Sequence, residues 1–136
     1  MTTQATTSYA ALTLRIALGV MFIAHALLKI FVFTPEGSVG FFSSLGIPGW
    51  LAYPTMGIEL IGGAMLILGI KTRFISASLI PVLIGTIFLV HGNKGWLFTN
   101  EGGGWEYPMF LILALITQSL LGNGDFTLRS VINKFR

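Results

Sequence analysis

Residues 57–70 of the chain read GIELIGGAMLILGI, an apolar run that contains one carboxylate, Glu59. With the apolar residues that precede it, this run is long enough to cross a hydrocarbon core roughly 30 Å thick. An ionised carboxylate in hydrocarbon costs ~2.5 kcal/mol or more. Glu59 is therefore expected to be neutral, paired or turned towards a polar interior, and it is the best single indicator of function in the chain.

The composition predicts an integral membrane protein of a single domain, covering residues 1–136. Of the 136 residues, 54% are hydrophobic and 10% are charged, whereas an ordinary soluble domain has about 25% charged residues. The chain has no cysteine, which excludes iron–sulfur clusters ligated by this chain, covalently attached haem and thiol relays. The formal net charge of +3 indicates lipid contact and orientation rather than nucleic-acid binding.

Four apolar runs predict four membrane-spanning helices and an all-α four-helix bundle. Each run is continuous, whereas the strands of a membrane barrel alternate apolar and polar residues. The approximate spans are residues 9–33, 51–70, 74–91 and 107–121. Between the first two spans, residues 40–50 predict a short interfacial half-helix, and the glycines of residues 101–105 predict a flexible outer turn.

Basic residues predict the orientation of the spans. Lys71 and Arg73 lie between the second and third spans, and more basic residues lie in the C-terminal tail. The positive-inside rule places both termini in the cytoplasm. The tail also has an amphipathic pattern, which predicts a short helix on the anionic inner leaflet. The residues of this pattern are Leu128, Arg129, Val131, Ile132, Lys134, Phe135 and Arg136.

Five ionisable residues from the four helices are predicted to converge on the outer half of the bundle. These residues are His25, Lys29, Glu59, His91 and Glu106. Arg15 lies in the inner leaflet, on the same helical stripe as His25 and Lys29. Gly62 and Gly63 lie one turn from Glu59, where small residues let another helix approach closely.

A repeated pattern links the first and third helices. Residues 19–25 and 85–91 both have the form Gly-x-x-Phe-x-x-His, and a lysine follows each within four residues. The helix after each pattern carries a glutamate. We interpret this as a duplicated two-helix unit, with Phe88 and His91 on one interior face and both histidines facing the bundle axis. A chance match of three residues in an apolar sequence is the alternative.

The chain resembles the DoxX family of small bacterial membrane proteins. The resemblance rests on residues 14–19, Lys29, residues 46–48, 57–63 and 69–73, His91, Glu106 and residues 122–128. It implies a four-helix protein of the bacterial cytoplasmic (inner) membrane. Some members are linked to thiosulfate:quinone oxidoreductase, a terminal quinol oxidase, or a membrane complex with superoxide dismutase and a sulfurtransferase. The resemblance therefore implies protein partners in a redox complex.

The leading functional hypothesis is a redox-associated membrane subunit that binds a quinone or a small sulfur compound in an outward-facing polar cavity. A buried carboxylate near an imidazole can exchange protons with a quinone. The candidate proton-transfer residues are Glu59, His25 and His91. The candidate substrate-binding residues are Arg15, Lys29 and Glu106, although Arg15 or Lys29 can instead neutralise Glu59. A purely structural polar cluster is the alternative.

Two cofactor hypotheses and two further functional classes stay open. His25 and His91 can ligate one haem axially. A metal ion can be held by His25, His91, Glu59 and Glu106. The chain can also be a non-catalytic anchor or assembly protein for a redox complex, or a small transporter or proton pathway. A homo-oligomer is compatible with each of these hypotheses.

Overall fold

The computed structural model describes residues 2–134, and all regular structure in that part of the chain is helical. The all-α prediction is confirmed. The helices are α1 (Thr3–Leu27), α2 (Pro35–Ser44), α3 (Ala52–Leu68), α4 (Thr72–Thr86), α5 (Glu106–Leu121) and α6 (Leu128–Lys134). Short segments of different pitch extend three of them: π-helical Leu28–Val32 after α1, 3₁₀-helical Gly49–Leu51 before α3, and π-helical Ile87–His91 with 3₁₀-helical Gly92–Lys94 after α4.

Three continuous helices in the described residues are long and apolar enough to cross a membrane. They are Thr3–Val32, Gly49–Leu68 and Thr72–Lys94, with 30, 20 and 23 residues. The first begins before the predicted residue 9, because the hydroxyl of Thr2 caps it by accepting a hydrogen bond from the amide of Ala5 at 3.3 Å. α5 is also apolar but has only 16 residues.

α1, α3, α4 and α5 pack in a ring. α1 contacts α3 and α5, and α4 contacts the same two helices from the other side. An apolar core, to which all four helices contribute, lies inside the ring. Its buried residues are Leu18, Phe22, Leu66, Ile75, Leu79, Leu83, Ile112 and Leu115.

The helices differ from those of a soluble protein in their exposed surface, which is apolar, and in two charged side chains that they bury. Phe88, Phe110 and Leu120 are 80%, 70% and 75% exposed, whereas Arg15 and Glu59 are only 2% and 5% exposed. Soluble proteins seldom bury charged residues or expose large apolar surfaces. Helices that face lipid tolerate this arrangement, because lipid covers the apolar surface and the polar residues turn inwards.

α1 and α3 cross at two glycines. A Cβ atom on Gly19 would lie 2.6 Å from the carbonyl oxygen of Gly63, and one on Gly63 would lie 2.7 Å from the carbonyl oxygen of Gly19. Since any larger residue would collide with backbone, only glycine permits this approach. The predicted close contact at Gly63 is confirmed, and the neighbouring Gly62 packs against Leu79 of α4.

The two short helices lie at opposite ends of the ring. α2 is attached to the end of α1 through the buried Ser38, whose hydroxyl donates to the carbonyl oxygen of Lys29 at 3.2 Å. It starts earlier than the predicted residue 40, because Thr34 caps it by accepting a hydrogen bond from the amide of Gly37. α6 is the predicted tail helix as far as Lys134, and Phe135 and Arg136 lie outside the described residues.

The π-helical turn after α4 changes which residues face the core. Phe88 was expected on the same interior face as His91, but Phe88 is 80% exposed and His91 is 8% exposed. A π turn is wider than an α turn, so residues three apart no longer share a face. The matching Phe22 in α1 is 3% exposed. The two similar segments thus differ in their packing, and the duplication stays a prediction.

Candidate functional site

Glu59 on α3 forms an ion pair with Lys29, which lies in the π-helical turn after α1. Nζ of Lys29 lies 2.9 Å from Oε1 and 2.8 Å from Oε2 of Glu59. The side chain of Lys29 is 20% exposed and that of Glu59 6%. Of the states expected for Glu59, the structure shows the paired one, and the pair carries no net charge. Close passage of α1 and α3 at their glycines brings the two side chains together.

His91 and Tyr107 form a second polar pair, on the other side of the ring. The hydroxyl of Tyr107 lies 3.1 Å from Nε2 of His91, and Nδ1 of His91 lies 2.9 Å from the carbonyl oxygen of Gly103. A carbonyl oxygen can only accept, so Nδ1 carries a hydrogen. In the neutral ring, Nε2 then accepts the hydrogen bond of the Tyr107 hydroxyl.

The loop after α4 is therefore more than the flexible turn predicted from its glycines. The carbonyl oxygens of Gly102 and Gly103 both accept a hydrogen bond from Nδ1 of His91. A Cβ atom on Gly104 would lie 2.2 Å from the carbonyl oxygen of Leu97, so the segment packs tightly on itself. Glu106 contributes to the same loop, since its Oε1 accepts a hydrogen bond from the amide of Phe98 at 3.0 Å.

A cavity of about 370 Å³ separates the two pairs and is lined by both. Its polar lining consists of the two pairs, His25 and a few hydroxyls. The rest of its wall is apolar, with α2 supplying Phe41 and Phe42 and α4 supplying Pro81 and Gly85. We call this part of the molecule the cavity end, defined by Lys29, Glu59, His91 and Tyr107.

Four of the six predicted site residues line this cavity, and two do not. His25, Lys29, Glu59 and His91 are part of its wall, whereas Arg15 and Glu106 are not. The ring of His25 lies close to its own helix, with Nδ1 2.9 Å from the carbonyl oxygen of Met21. Its carbonyl oxygen lies 3.4 Å from Nζ of Lys29, so His25 also helps to position the lysine.

Arg15 belongs to a separate polar group, at the opposite end of the ring. Its Nη1 donates to the carbonyl oxygen of Asn123, in the loop after α5. Oδ1 of Asn123 accepts hydrogen bonds from the amide and the hydroxyl of Thr72 at 3.0 and 2.6 Å. Nε2 of Gln118 donates to the carbonyl oxygen of Gly122 at 2.7 Å. We call this the tail end, defined by Arg15, Thr72, Gln118 and Asn123.

The tail end fastens the C-terminal segment to the helix ring. Asp125, two residues after Asn123, accepts a hydrogen bond from the hydroxyl of Ser8 on α1 at 2.5 Å. The apolar core residues of α1, α4 and α5 lie between this end and the cavity. The buried guanidinium of Arg15 is therefore remote from the candidate site and holds a loop of the chain itself.

The histidines and glutamates do not form a ready cofactor site. Within residues 2–134, no three of the His, Asp and Glu side chains converge closely enough to hold a metal ion. Both ring nitrogens of His91 are engaged, one by loop carbonyls and one by Tyr107. An axial haem bond would require His91 to leave Tyr107, so the residues do not fit haem as arranged.

Tyr107 is the site residue that sequence reasoning missed. A tyrosine at the start of an apolar helix is the common pattern of an interfacial aromatic residue, so its sequence context gave no reason to select it. A usable signal was its position one residue after Glu106, at the predicted depth of His91. The roles of Asn123 and Asp125 were also missed, since polar loop residues rarely indicate buried contacts.

Comparison with known proteins identifies the family. The DoxX family model matches residues 10–92. The chain is a member of the DoxX family. It is 34% identical over 112 residues to a Bacillus subtilis (strain 168) protein named "Putative oxidoreductase CatD", covering 82% of this chain and 78% of that relative.

A second relative of this DoxX-family chain is an uncharacterized protein of Haemophilus influenzae (strain ATCC 51907 / DSM 11121 / KW20 / Rd). The identity is 29% over 79 residues, which cover 58% of the chain and 51% of the relative. No solved structure matches the chain. Family membership and the apolar helices together point to a membrane protein.

Proposed function

We propose that this DoxX-family chain is the membrane subunit of a redox system and binds a quinone in the cavity. The observation that carries the proposal is a space of about 370 Å³ with apolar walls and two polar pairs facing it. Small-molecule sites typically have volumes of ~300–1,000 Å³, apolar walls and a few placed polar groups. The word oxidoreductase in the name of the Bacillus relative supports the redox class.

The charges at the cavity end favour a quinone over a sulfur anion. Lys29 is already neutralised by Glu59, and Arg15, the other candidate for an anionic group, lies at the tail end. A quinone is uncharged and carries two carbonyl oxygens that accept hydrogen bonds. The ammonium group of Lys29 is a donor for one of these oxygens, since its third hydrogen has only a long contact, 3.4 Å, with the carbonyl oxygen of His25. The hydroxyl of Tyr107 donates to Nε2 of neutral His91, so it becomes a donor to the cavity once both ring nitrogens of His91 carry hydrogens. A small sulfur compound would suit this cavity only in an uncharged form.

The proposed reaction assigns a proton route to each polar pair. Oxidation of a quinol releases two protons and two electrons. The carboxylate of Glu59 takes one proton directly, and Nε2 of His91 takes the other through the hydroxyl of Tyr107. The two electrons pass to a redox cofactor carried by a partner protein. Reduction of a quinone is the same set of transfers in reverse. His25 also lines the cavity, next to Lys29 and Glu59.

The proposed setting is a single domain of four spans in the bacterial inner membrane. Basic residues at the tail end support a cytoplasmic position for that end and for both termini. These residues are Lys71, Arg73, Arg129 and Lys134. The cavity end then faces outwards. α5, with 16 residues, rises about 24 Å and would cross a locally thinned bilayer.

Quinone titration of the purified chain tests the proposal, with a leucine placed in the cavity as the decisive variant. Gly85 lines the cavity, and a Cβ atom there would meet no atom within 4 Å. Gly85→Leu therefore fills the space while leaving both polar pairs intact. Gly40→Leu is the matched control, since Gly40 is exposed on α2 and equally uncrowded.

The wild type and Gly40→Leu should bind a short-chain quinone. Gly85→Leu should bind it at least about tenfold more weakly, since the leucine occupies the space of the ligand. A tenfold loss of affinity corresponds to ~1.4 kcal/mol of binding free energy. Equal affinity in all three proteins would overturn the cavity as the binding site. Failure of the folded wild type to bind any quinone would overturn the proposal and favour the anchor or assembly role.

A further inference from the structure

The tail end carries a shallow surface pocket that the proposed quinone function does not use. It is lined by Lys71, Arg73, Phe74 and Asn123. The first three residues lie in the turn between α3 and α4 and at the start of α4. Asn123 comes from the loop after α5. Two separate parts of the chain therefore meet here, at the end of the ring remote from the cavity.

The pocket has two cations without counter-charges. Lys71 and Arg73 are both exposed, and the one ion pair within residues 2–134 is that of Lys29 with Glu59. Asp125 lies in the same loop as Asn123, but its carboxylate accepts a hydrogen bond from the hydroxyl of Ser8. The pocket is therefore positive and suited to an anion from outside the chain.

Asn123 adds a donor of fixed orientation to this positive pocket. Its Oδ1 accepts two hydrogen bonds from Thr72, at 3.0 and 2.6 Å. The amide oxygen is thus held inwards, and the group left for the pocket is Nδ2, which can only donate. The guanidinium of Arg73 lies against the same loop, since a Cβ atom on Gly122 would come within 2.8 Å of its Nε.

Lys71 has a left-handed backbone conformation in the tight turn before α4, where its carbonyl oxygen accepts a hydrogen bond from the amide of Ile75 at 3.0 Å. Lys71 has a φ of 46°, a left-handed conformation that glycine and asparagine adopt more readily than lysine. Strained residues of this kind concentrate at binding sites. A lysine at this position keeps a charge in the pocket at the cost of local strain.

The pocket lies where a membrane headgroup would lie. The turn joins two helices that are each long enough to span a membrane. Phe74 beside the pocket is 69% exposed, and α6 at the same end exposes Leu128, Val131 and Ile132. One apolar side chain, Phe74, thus lines the positive pocket, and further apolar side chains are exposed at the same end of the ring, at the predicted boundary of the hydrocarbon.

We propose that this tail-end basic pocket binds the headgroup phosphate of an anionic phospholipid, with an acyl chain against Phe74. Lys71 and Arg73 supply the charge, and Nδ2 of Asn123 supplies a hydrogen bond. The exposed phenylalanine and the position of the pocket favour a lipid phosphate over free phosphate. This lipid site is independent of the proposed quinone site.

Native mass spectrometry of the full chain in detergent, titrated with phosphatidylglycerol or phosphatidylcholine, tests the lipid site. The decisive variant is Lys71→Asn combined with Arg73→Gln, since asparagine relieves the strain at residue 71 and the variant should stay folded. Arg129→Gln combined with Lys134→Gln is the matched control, because it removes two positive charges from the same end outside the pocket.

We expect the wild type and the control to bind one phosphatidylglycerol molecule at least about tenfold more tightly than phosphatidylcholine. The pocket variant should lose this preference. Equal loss in the two double variants would overturn the proposal in favour of general charge attraction. Displacement of the lipid by millimolar inorganic phosphate alone would overturn the choice of a lipid. If the pocket variant unfolds at the same temperature as the wild type, its loss of lipid binding is not caused by misfolding.

Discussion

The cavity end and the tail end both bury polar side chains among apolar helices, but these side chains have different partners. At the tail end, the loop after α5 is the partner: the backbone carbonyl of Asn123 accepts from Nη1 of Arg15, and its side-chain amide oxygen accepts from Thr72. At the cavity end, Lys29 and Glu59 satisfy each other across an open volume. The buried polar side chains of the tail end therefore hold two parts of the chain together, whereas those of the cavity end line a space that a ligand can enter.

The same contrast holds for the two cations that make hydrogen bonds within the ring, Arg15 and Lys29. Arg15 donates to a loop carbonyl, which ties two segments of the backbone together. Lys29 is paired with a carboxylate that can itself take up a proton. The apolar core between the two ends shows why they act separately, and it argues against a continuous polar pathway through the ring.

Substitution at the helix crossing should damage both ends and give the largest effect. Gly63→Ala forces a Cβ atom against the backbone of Gly19, so we expect the free energy of unfolding to fall by about 2–3 kcal/mol. Gly57→Ala on the same helix is the control, because nothing lies within 4 Å of its added Cβ. Thermal unfolding in detergent measures both. Equal stability of the two variants would contradict the close crossing.

Removal of the amide at the tail end should lower stability without changing quinone affinity. Asn123→Ala leaves the amide and hydroxyl of Thr72 without their acceptor, which costs about 2 kcal/mol of unfolding free energy. Asn133→Ala on the exposed face of α6 is the control. A weaker quinone affinity in folded Asn123→Ala would break the separation of the two ends.

Neutralisation of Glu59 should abolish redox function while the protein still folds and assembles. Glu59→Gln removes the proton acceptor and leaves Lys29 without a counter-charge, at a cost of about 1–3 kcal/mol in stability. Quinone-linked activity of the membrane complex is the measurement, with Glu36→Gln, an exposed carboxylate on α2, as the control. Unchanged activity in an intact complex would contradict the proton role.

Loss of the Tyr107 hydroxyl should give the smallest effect. Tyr107→Phe removes one hydrogen bond to His91 and one polar group from the cavity wall, so we expect quinone affinity to fall about threefold to tenfold. Tyr53→Phe is the control, because Tyr53 is exposed at the start of α3. If the two variants bind quinone equally, Tyr107 does not contact the ligand.

The helices were predictable from sequence, and so was one of the two polar pairs of the cavity end, Lys29 with Glu59. Continuous apolar runs indicate helices directly, and Lys29 and Glu59 share a predicted depth and an inward face. Their pairing needed only that α1 and α3 be neighbours, which Gly63 favoured because a small residue lets another helix approach closely. A single charge in a run of apolar residues is a strong signal, because lipid offers it no partner.

The rest depended on local geometry that periodicity does not encode. The π turn after α4 exposes Phe88 and buries His91, although both fit one α-helical stripe. The partners of His91 are Tyr107 and carbonyls of a glycine loop, and backbone groups leave no sequence signal. Arg15 was a candidate for substrate binding or for neutralising Glu59, and no sequence signal indicated the backbone carbonyl of Asn123 to which it donates.

The most direct test of the cavity is mass spectrometry of the lipophilic molecules that co-purify with the chain in mild detergent. We predict that the wild type and Gly40→Leu retain a quinone, and that Gly85→Leu retains at least about tenfold less, since filling the space removes the ligand's apolar contacts. Quinone at equal levels in Gly85→Leu, or a wild type free of quinone, would contradict the proposed role of the cavity.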